Sequence, residues 1–308
     1  MKVADSILDT RCNTPMVRLR RIVPEDCAEI LAKIEFFGPS GSVKDRIAAF
    51  MIEEAEKRGD LKPGYRIVEA TTGNTGIAFA LAGLVKGYRV TIVMPKEMSE
   101  ERKKVLRAYG ADIVFTPGSE TAVDKCVEKV GEIRASDSKV WVPGQFTSFD
   151  NVRAHQRTTG PEILKQAGRS IDAFVAGVGS GGTLMGVARC FKEERINARI
   201  VAVEPAECAV MSGGCSGPHR IEGIGDGFVS GIVDMNLVTD IEVVGDGDAI
   251  AMARRLAREE GILGGISSGA NAAAAINVGR RLGKGKKVVT LIPDTGMRYF
   301  STDLFKEK

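Results

Sequence analysis

Residues 172–194 read DAFVAGVGSGGTLMGVARCFKEE: an apolar run, a glycine-rich turn at residues 177–182, and a stretch of helical character. A strand that turns tightly into a helix N-terminus offers backbone N–H groups and the positive end of the helix dipole, which together suit a phosphate. Taken literally the turn is also G-x-G-x-x-G, and Glu204, which closes the strand-like IVAVE, stands about where a ribose-binding acid belongs in a dinucleotide fold. What surrounds the turn decides the fold, and whose phosphate it holds decides the chemistry.

On both sides of the turn, strands and helices alternate. YRIVEA (65–70), RVTIVMP (89–95) and ADIVFTP (111–117) are strand-like, separated by the helical GIAFALAGLVKG (76–87) and SEERKKVLRAYG (99–110), the latter capped by Ser99 and ended by Gly110. TAVDKCVEKVGEIRAS (121–136) follows as a helix. After DNVRAHQRTTGPEILKQA (150–167) the rhythm resumes with DAFVAGV, ARIVAVEP (198–205), the helices DAIAMARRLAREEG (248–261) and SSGANAAAAINVGRRLG (267–283), and the strand KKVVTLIP (286–293). This is the signature of βαβ units, so the expected class is α/β: two three-layer α/β/α domains with mainly parallel sheets, divided near GQFTSFD (144–150). Ligands of such sheets bind beyond the carboxyl ends of the strands, which directs attention to the loops after strands.

Composition narrows the function. The 308 residues with 44% hydrophobic content support two cores. The net charge of +3 comes from interleaved acids and bases and leaves no nucleic-acid footprint, and the basic GRRLGKGKK (279–287) belongs to a helix end. The N-terminal MKVADSILDT has no apolar signal core, and the longest apolar stretch, IAFALAGLV (77–85), is too short to span a membrane, so the cytoplasm is the expected location. Six cysteines without C-x-x-C spacing and two histidines, His155 and His219, argue against a disulfide frame, a zinc site or a His-built metal centre.

Four loops could hold chemistry. PSGSVKDR (39–46) delivers Lys44 to the first turn of a helix, where the dipole disfavours an ammonium; with desolvation this lowers an amine's pKa, and a neutral lysine is what Schiff-base chemistry needs. TTGNTG (71–76) gathers hydroxyls, an amide and glycines at a helix start, beyond the single N-cap that Thr72 or Asn74 would provide, and suits an anion such as a carboxylate. In the glycine turn, Thr183 adds a hydroxyl at the helix start, as a compact terminal monophosphate requires. GGISSGAN (264–271) sets Ser267 and Ser268 before a helix, one expected to cap it and the other free to meet a ligand.

Taken in order, NTPMVRL (13–19), PSGSVKDR, TTGNTG, TTGPEI (158–163), GVGSGGT, EGIGDGF (222–228), GISSGA and PDTGMRYFSTDLF (293–305) resemble the cysteine synthase (O-acetylserine sulfhydrylase) and cystathionine β-synthase family of pyridoxal-phosphate enzymes of fold type II, over nearly the whole chain. The resemblance implies that Lys44 binds pyridoxal 5'-phosphate as a Schiff base and then takes the substrate's Cα proton. It implies that Gly179, Ser180, Gly181, Gly182 and Thr183 hold the cofactor phosphate, that Asn74 bonds the ring hydroxyl, and that Ser267 faces the pyridine nitrogen. The substrate carboxylate would lie on Thr71, Thr72, Asn74, Thr75 and Gln145. The implied reaction is β-replacement, in which O-acetylserine loses acetate and sulfide adds at Cβ. The implied architecture is a homodimer whose smaller domain, residues 35–148, closes over a larger one built from 1–34 and 149–308, with a serine acetyltransferase as a partner.

The chain departs from that family in four places. Ser180 stands where threonine is usual, Thr72 where serine is usual, and GPSGS replaces an Asn-Pro before the lysine. GIGDGF puts Asp226 where cysteine synthases generally have alanine; one reading makes it a loop acid, the other a general base that shifts preference from sulfide towards water or thiols, giving cysteine lyase, lanthionine or cystathionine chemistry. O-phosphoserine as substrate and a nicotinamide-dependent oxidoreductase built on the literal G-x-G-x-x-G stay open as alternatives at this level.

Overall fold

The structure, a computed structural model, describes residues 3–71, 73–118 and 123–306. Its strands are β1 (Met16–Arg18), β2 (Glu29–Ile34), β3 (Arg66–Ala70), β4 (Arg89–Pro95), β5 (Asp112–Thr116), β6 (Val140–Trp141), β7 (Ala173–Gly177), β8 (Arg199–Pro205), β9 (Asp240–Val244) and β10 (Lys287–Ile292). Six of them make one sheet in the order β1-β2-β10-β7-β8-β9, and four make another in the order β5-β4-β3-β6. The β1–β2 pair is antiparallel, and the remaining pairs of both sheets are parallel.

Parallel strands need crossovers, and helices supply them: α1 (Lys44–Arg58), α2 (Asn74–Lys86), α3 (Glu100–Ala108), α4 (Val123–Ser136), α5 (Phe149–Arg157), α6 (Thr159–Ala167), α7 (Gly182–Glu193), α8 (Asp246–Glu260) and α9 (Ile266–Leu282). Alternation along the strands sends side chains to two apolar layers. In the larger sheet Ala173, Val175, Val201, Val203, Val288 and Ile292 pack against α8 and α9. Their neighbours Phe174, Ala176, Ile200, Ala202, Val289 and Leu291 face α6 and α7. In the smaller sheet Ile67, Val90, Ile92 and Met94 face α1 and α2, whereas Val68, Ala70, Val93 and Val140 face α4. Each unit is therefore three layers, and strands covered on both faces read as continuous apolar runs rather than as alternating ones.

Strand order reverses once in each sheet. The chain builds β7, β8 and β9 outward, then returns to lay β10 on the other side of β7; it builds β3, β4 and β5 outward, then returns with β6 beside β3. A reversal forces the loops after the two neighbouring strands to diverge, which opens a crevice at their carboxyl ends. The glycine turn and PDTGM follow β7 and β10, and TTGNTG and GQF follow β3 and β6.

A buried ionic cluster anchors the helix that begins with Lys44. The Arg46 guanidinium donates to Glu35 Oε2 at 2.6 Å, to Glu162 Oε1 and Oε2 at 2.8 Å, and to Thr14 Oγ1 at 3.0 Å. Lys33 Nζ, fully buried on β2, meets Glu162 at 2.9 Å and donates to the Thr14 carbonyl at 2.8 Å. Burial would raise the Glu162 carboxyl, but Arg46 and Lys33 overcome it and bring it down to about 2. The cluster joins β2, the segment after it, α1 and α6.

Some local expectations are corrected. Ser99 occupies the N-cap position of α3, yet its hydroxyl accepts from Arg102 Nη1 at 3.4 Å and makes no cap bond to the backbone. Ile266, Ser267 and Ser268 all lie inside the first turn of α9, whose N-cap is Gly265, so neither serine caps the helix. Gly73, rather than Asn74, is the N-cap of α2. No helix among the described residues is long and apolar enough to cross a membrane.

Replacing Arg46 by methionine leaves the buried carboxylates of Glu35 and Glu162 without their shared partner, and is expected to cost about 3–5 kcal/mol of unfolding free energy by urea titration. Because the Glu162 pKa is depressed from 4.5 to about 2, its stabilising contribution is complete above about pH 4.5 and declines as pH falls towards 2. The Arg46→Met difference should shrink across that window.

Candidate active site

The glycine turn after β7 is shaped by what crowds it. Gly181 has φ +83°, a conformation that favours glycine, and forms the N-cap of α7. At Gly182 a Cβ would lie 1.9 Å from Asn151 Oδ1, so the helix start must be bare. Gly182 and Thr183 are the first residues of α7, and their N–H groups have no acceptor within the helix. Two hydroxyls flank these donors: Ser180 Oγ accepts from Asn151 Nδ2 at 2.9 Å, and Thr183 Oγ1 lies 3.1 Å from His155 Nε2.

Glu204 is not aimed at a ligand. Its carboxylate, 1% exposed, accepts the Met211 and Ser212 N–H groups at 2.8 and 3.0 Å. It is a loop clamp, which removes the ribose-binding acid that a dinucleotide reading needs.

The segment after β10 ties two other loops to this turn. Val43 N–H donates to the Pro293 carbonyl at 2.7 Å, and Ser42 bridges to Asp294, which fixes the chain just before Lys44. On the opposite side Gly265 N–H donates to the Asp294 carbonyl at 3.2 Å, which fixes the start of α9 and with it Ser267. Asp294 Oδ2 accepts from Asn74 Nδ2 at 2.7 Å and from the Tyr299 hydroxyl at 2.6 Å, while Arg298 donates to Asn74 Oδ1 and to the Ser40 carbonyl. One Asn74 amide proton is thereby used and one is left for a ligand.

Lys44, the first residue of α1, lines the cleft. Burial lowers the pKa of its amine, and the negative charges of Asp226 and Asp294 oppose that shift in part. Asp226 lines the same cleft, and its Oδ2 lies 3.2 Å from where a Gly179 Cβ would stand.

At the reversal of the smaller sheet, Thr71 Oγ1 accepts the Gly73 N–H at 3.0 Å, and the Thr75 hydroxyl donates to Gln145 Oε1 at 2.7 Å. Gln145 is held from behind as well: Glu69 accepts the N–H groups of Gly144 and Gln145 at 3.0 and 3.1 Å. Burial raises the Glu69 carboxyl to about 7, with those two bonds pulling it down. Thr72 lies outside the described residues. Arg102, on α3, packs beside Gly73 and over the Tyr299 ring at 5.0 Å, and its ion pair with Glu222 links this unit to the loop that contains Asp226.

Lys44, Thr71, Asn74, Thr75, Gln145, Gly179, Ser180, Gly181, Gly182, Thr183, Asp226 and Ser267 all line one cleft. Sequence reasoning missed the residues behind them: Asn151, His155, Arg102, Asp294, Arg298 and Tyr299. Asp294 was within reach of it, since PDTGM follows a strand; the others sit on helices or far along the chain and have no local signature.

The cleft fits a small aromatic aldehyde with a terminal phosphate. It has bare N–H donors and two hydroxyls for the phosphate, a desolvated amine for the aldehyde, and a neutral serine in place of a carboxylate. The comparisons agree. The chain matches the model of the pyridoxal-phosphate dependent enzyme family over residues 7–294. It is 48% identical to a cysteine synthase of Staphylococcus aureus over 305 residues, 99% of this chain and 98% of the relative. A cysteine synthase structure from Entamoeba histolytica superposes with a TM-score of 0.94 at 39% identity, covering 100% of this chain and 92% of that one. A hydrogen sulfide-producing enzyme of Fusobacterium nucleatum gives a TM-score of 0.93 at 43% identity, covering 96% and 100%. With its fold, its cleft and its full-length relatives in agreement, the chain belongs to the pyridoxal-phosphate-dependent enzyme family, among the cysteine synthases.

Proposed function

We propose that this protein is a cysteine synthase, which replaces the acetoxy group of O-acetyl-L-serine by sulfide to give L-cysteine and acetate. The observation that supports this most is the meeting of a desolvated lysine, an anion loop and a neutral Ser267 in one cleft. Pyridoxal phosphate, when bound, supplies the electron sink for negative charge at Cα.

The residues divide the remaining work. Lys44 Nζ would hold the cofactor and would take the Cα proton of the substrate; the lowered pKa favours the neutral amine that both tasks need. Gly179, Ser180, Gly181, Gly182 and Thr183 bind the cofactor phosphate. Ser267 would face the ring nitrogen of the bound cofactor with a neutral hydroxyl, and chemistry that needs a weak electron sink, loss of a β-substituent rather than transamination, is what such a partner would suit. Thr71, Thr72, Asn74, Thr75 and Gln145 receive the α-carboxylate, with Thr75 and Gln145 acting as a hydrogen-bonded pair. The unit of residues 35–148 moves over the unit formed by 1–34 and 149–308, and the chain works in the cytoplasm as a homodimer open to a serine acetyltransferase partner.

Asp226 favours a second reading. Its carboxylate lines the cleft and bears on Lys44, where it can act as a general base on water or a thiol and repel an anionic nucleophile. The likeness to a hydrogen sulfide-producing enzyme points the same way, towards cysteine lyase or lanthionine and cystathionine chemistry.

A panel of O-acetylserine, O-phosphoserine, serine and cysteine, each with sulfide, homocysteine or water, tests both readings. The first predicts that O-acetylserine with sulfide is fastest, and that Lys44→Ala lowers this rate by about 10³-fold or more. The second predicts that Asp226→Ala slows sulfide release from cysteine while leaving the sulfide reaction in place; equal release rates in parent and variant sink it.

A further inference from the structure

The α5 helix presents two buried polar side chains to the phosphate loop. Asn151 and His155 are each 1% exposed and lie one turn apart, on one face. Asn151 spends both amide protons, donating to the Gln145 carbonyl at 2.8 Å and to Ser180 Oγ at 2.9 Å. His155 touches two hydroxyls, Thr159 Oγ1 at Nδ1 (2.8 Å) and Thr183 Oγ1 at Nε2 (3.1 Å).

A hydroxyl has one proton, so what α5 does with Ser180 and Thr183 decides what they offer a ligand. Because Ser180 Oγ accepts from an amide, its own proton is turned away from α5. For Thr183 the outcome rests on the tautomer of His155. With the proton on Nε2, the imidazole donates to Thr183 and the threonine proton is free for the ligand; Thr159 then donates to Nδ1. With the proton on Nδ1, Thr183 must donate to Nε2 and would turn a lone pair towards the phosphate. A phosphate dianion only accepts, which selects the first arrangement. Burial first, then the charges of Arg46 and Lys44, hold the His155 pKa well below its ordinary value, so the ring has a single proton to place.

We propose that α5 orients the protons of the phosphate loop: Asn151 and the Nε2–H tautomer of His155 are positioning residues that turn Ser180 and Thr183 into donors towards the cofactor phosphate. Neither adds charge, so their contribution lies in the direction of the hydroxyl protons, on top of the N–H donors and the helix dipole that already favour an anion. This rests on the assignment of residues 179–183 to that phosphate.

The chain has two histidines, so ¹⁵N NMR of the histidine-labelled holoenzyme resolves His155 directly, with a His219 variant for assignment. The expected result is a neutral Nε2–H ring that does not titrate near neutral pH; an Nδ1–H ring or an imidazolium overturns the proposal. Variants give an independent reading. In His155→Gln the amide nitrogen stands near the Nε2 position and keeps the donor to Thr183, whereas in His155→Asn it stands near Nδ1 and loses it. His155→Asn should weaken pyridoxal-phosphate binding about tenfold and move its ³¹P resonance, with His155→Gln close to the parent; equal affinities for the two variants contradict the proposal. Thr183→Val that binds the cofactor as tightly as the parent would overturn the loop assignment itself, whatever His155 does.

Discussion

Reversal of strand order is the constraint on which the site depends. A parallel sheet that grows in one direction sends every loop at its carboxyl end to the same side, and those loops crowd one another. Where β10 returns beside β7, and β6 beside β3, neighbouring loops part and leave room for a ligand. Every candidate loop lies at one of these two points or is tied to one. The loop before Lys44 and the start of α9 belong to neither strand end, yet both are bonded to Pro293 and Asp294, just past β10.

The electrostatics follow from that placement. The cleft receives the N-terminal ends of α1, α2, α7 and α9, and these favour anions and disfavour a protonated amine. Lys44 stands where a cation is least welcome, and Asp226 and Asp294 keep its basicity from falling further. On the proposed function Lys44 both holds the cofactor and takes a proton, and such a balance serves both tasks. The surrounding carboxylates are each occupied: Asp294 by Asn74 and Tyr299, Glu69 by two backbone N–H groups, Glu222 by Arg102.

How much of this was legible in the sequence depended on how local the cause was. The strands that became β3, β4, β5, β7, β8 and β10 and the loops after them are legible, because periodicity and glycine turns are local signals, whereas DIEVV (240–244), which forms β9, is not singled out by its sequence. EILAKI (29–34) was passed over although it pairs with β10, since six residues without a following crossover helix do not announce a strand; β6, with two residues, exists by virtue of its pairing to β3. Serine caps were expected at α9, but glycine there allows the close approach of Asp294 and Tyr299. Asn151 and His155 carry no functional signal in the sequence, and their role comes from packing against a turn some 30 residues away. Of the departures from the family pattern, Ser180 and Asp226 both line the cleft.

The central claim is that Lys44 is the residue that holds pyridoxal phosphate in this cleft. Borohydride reduction of the holoenzyme, followed by proteolysis and mass spectrometry, tests it most directly. The account predicts one phosphopyridoxyl group per chain, on the peptide that contains Lys44. A label on any other lysine, or a reduced protein without label at Lys44, would contradict it.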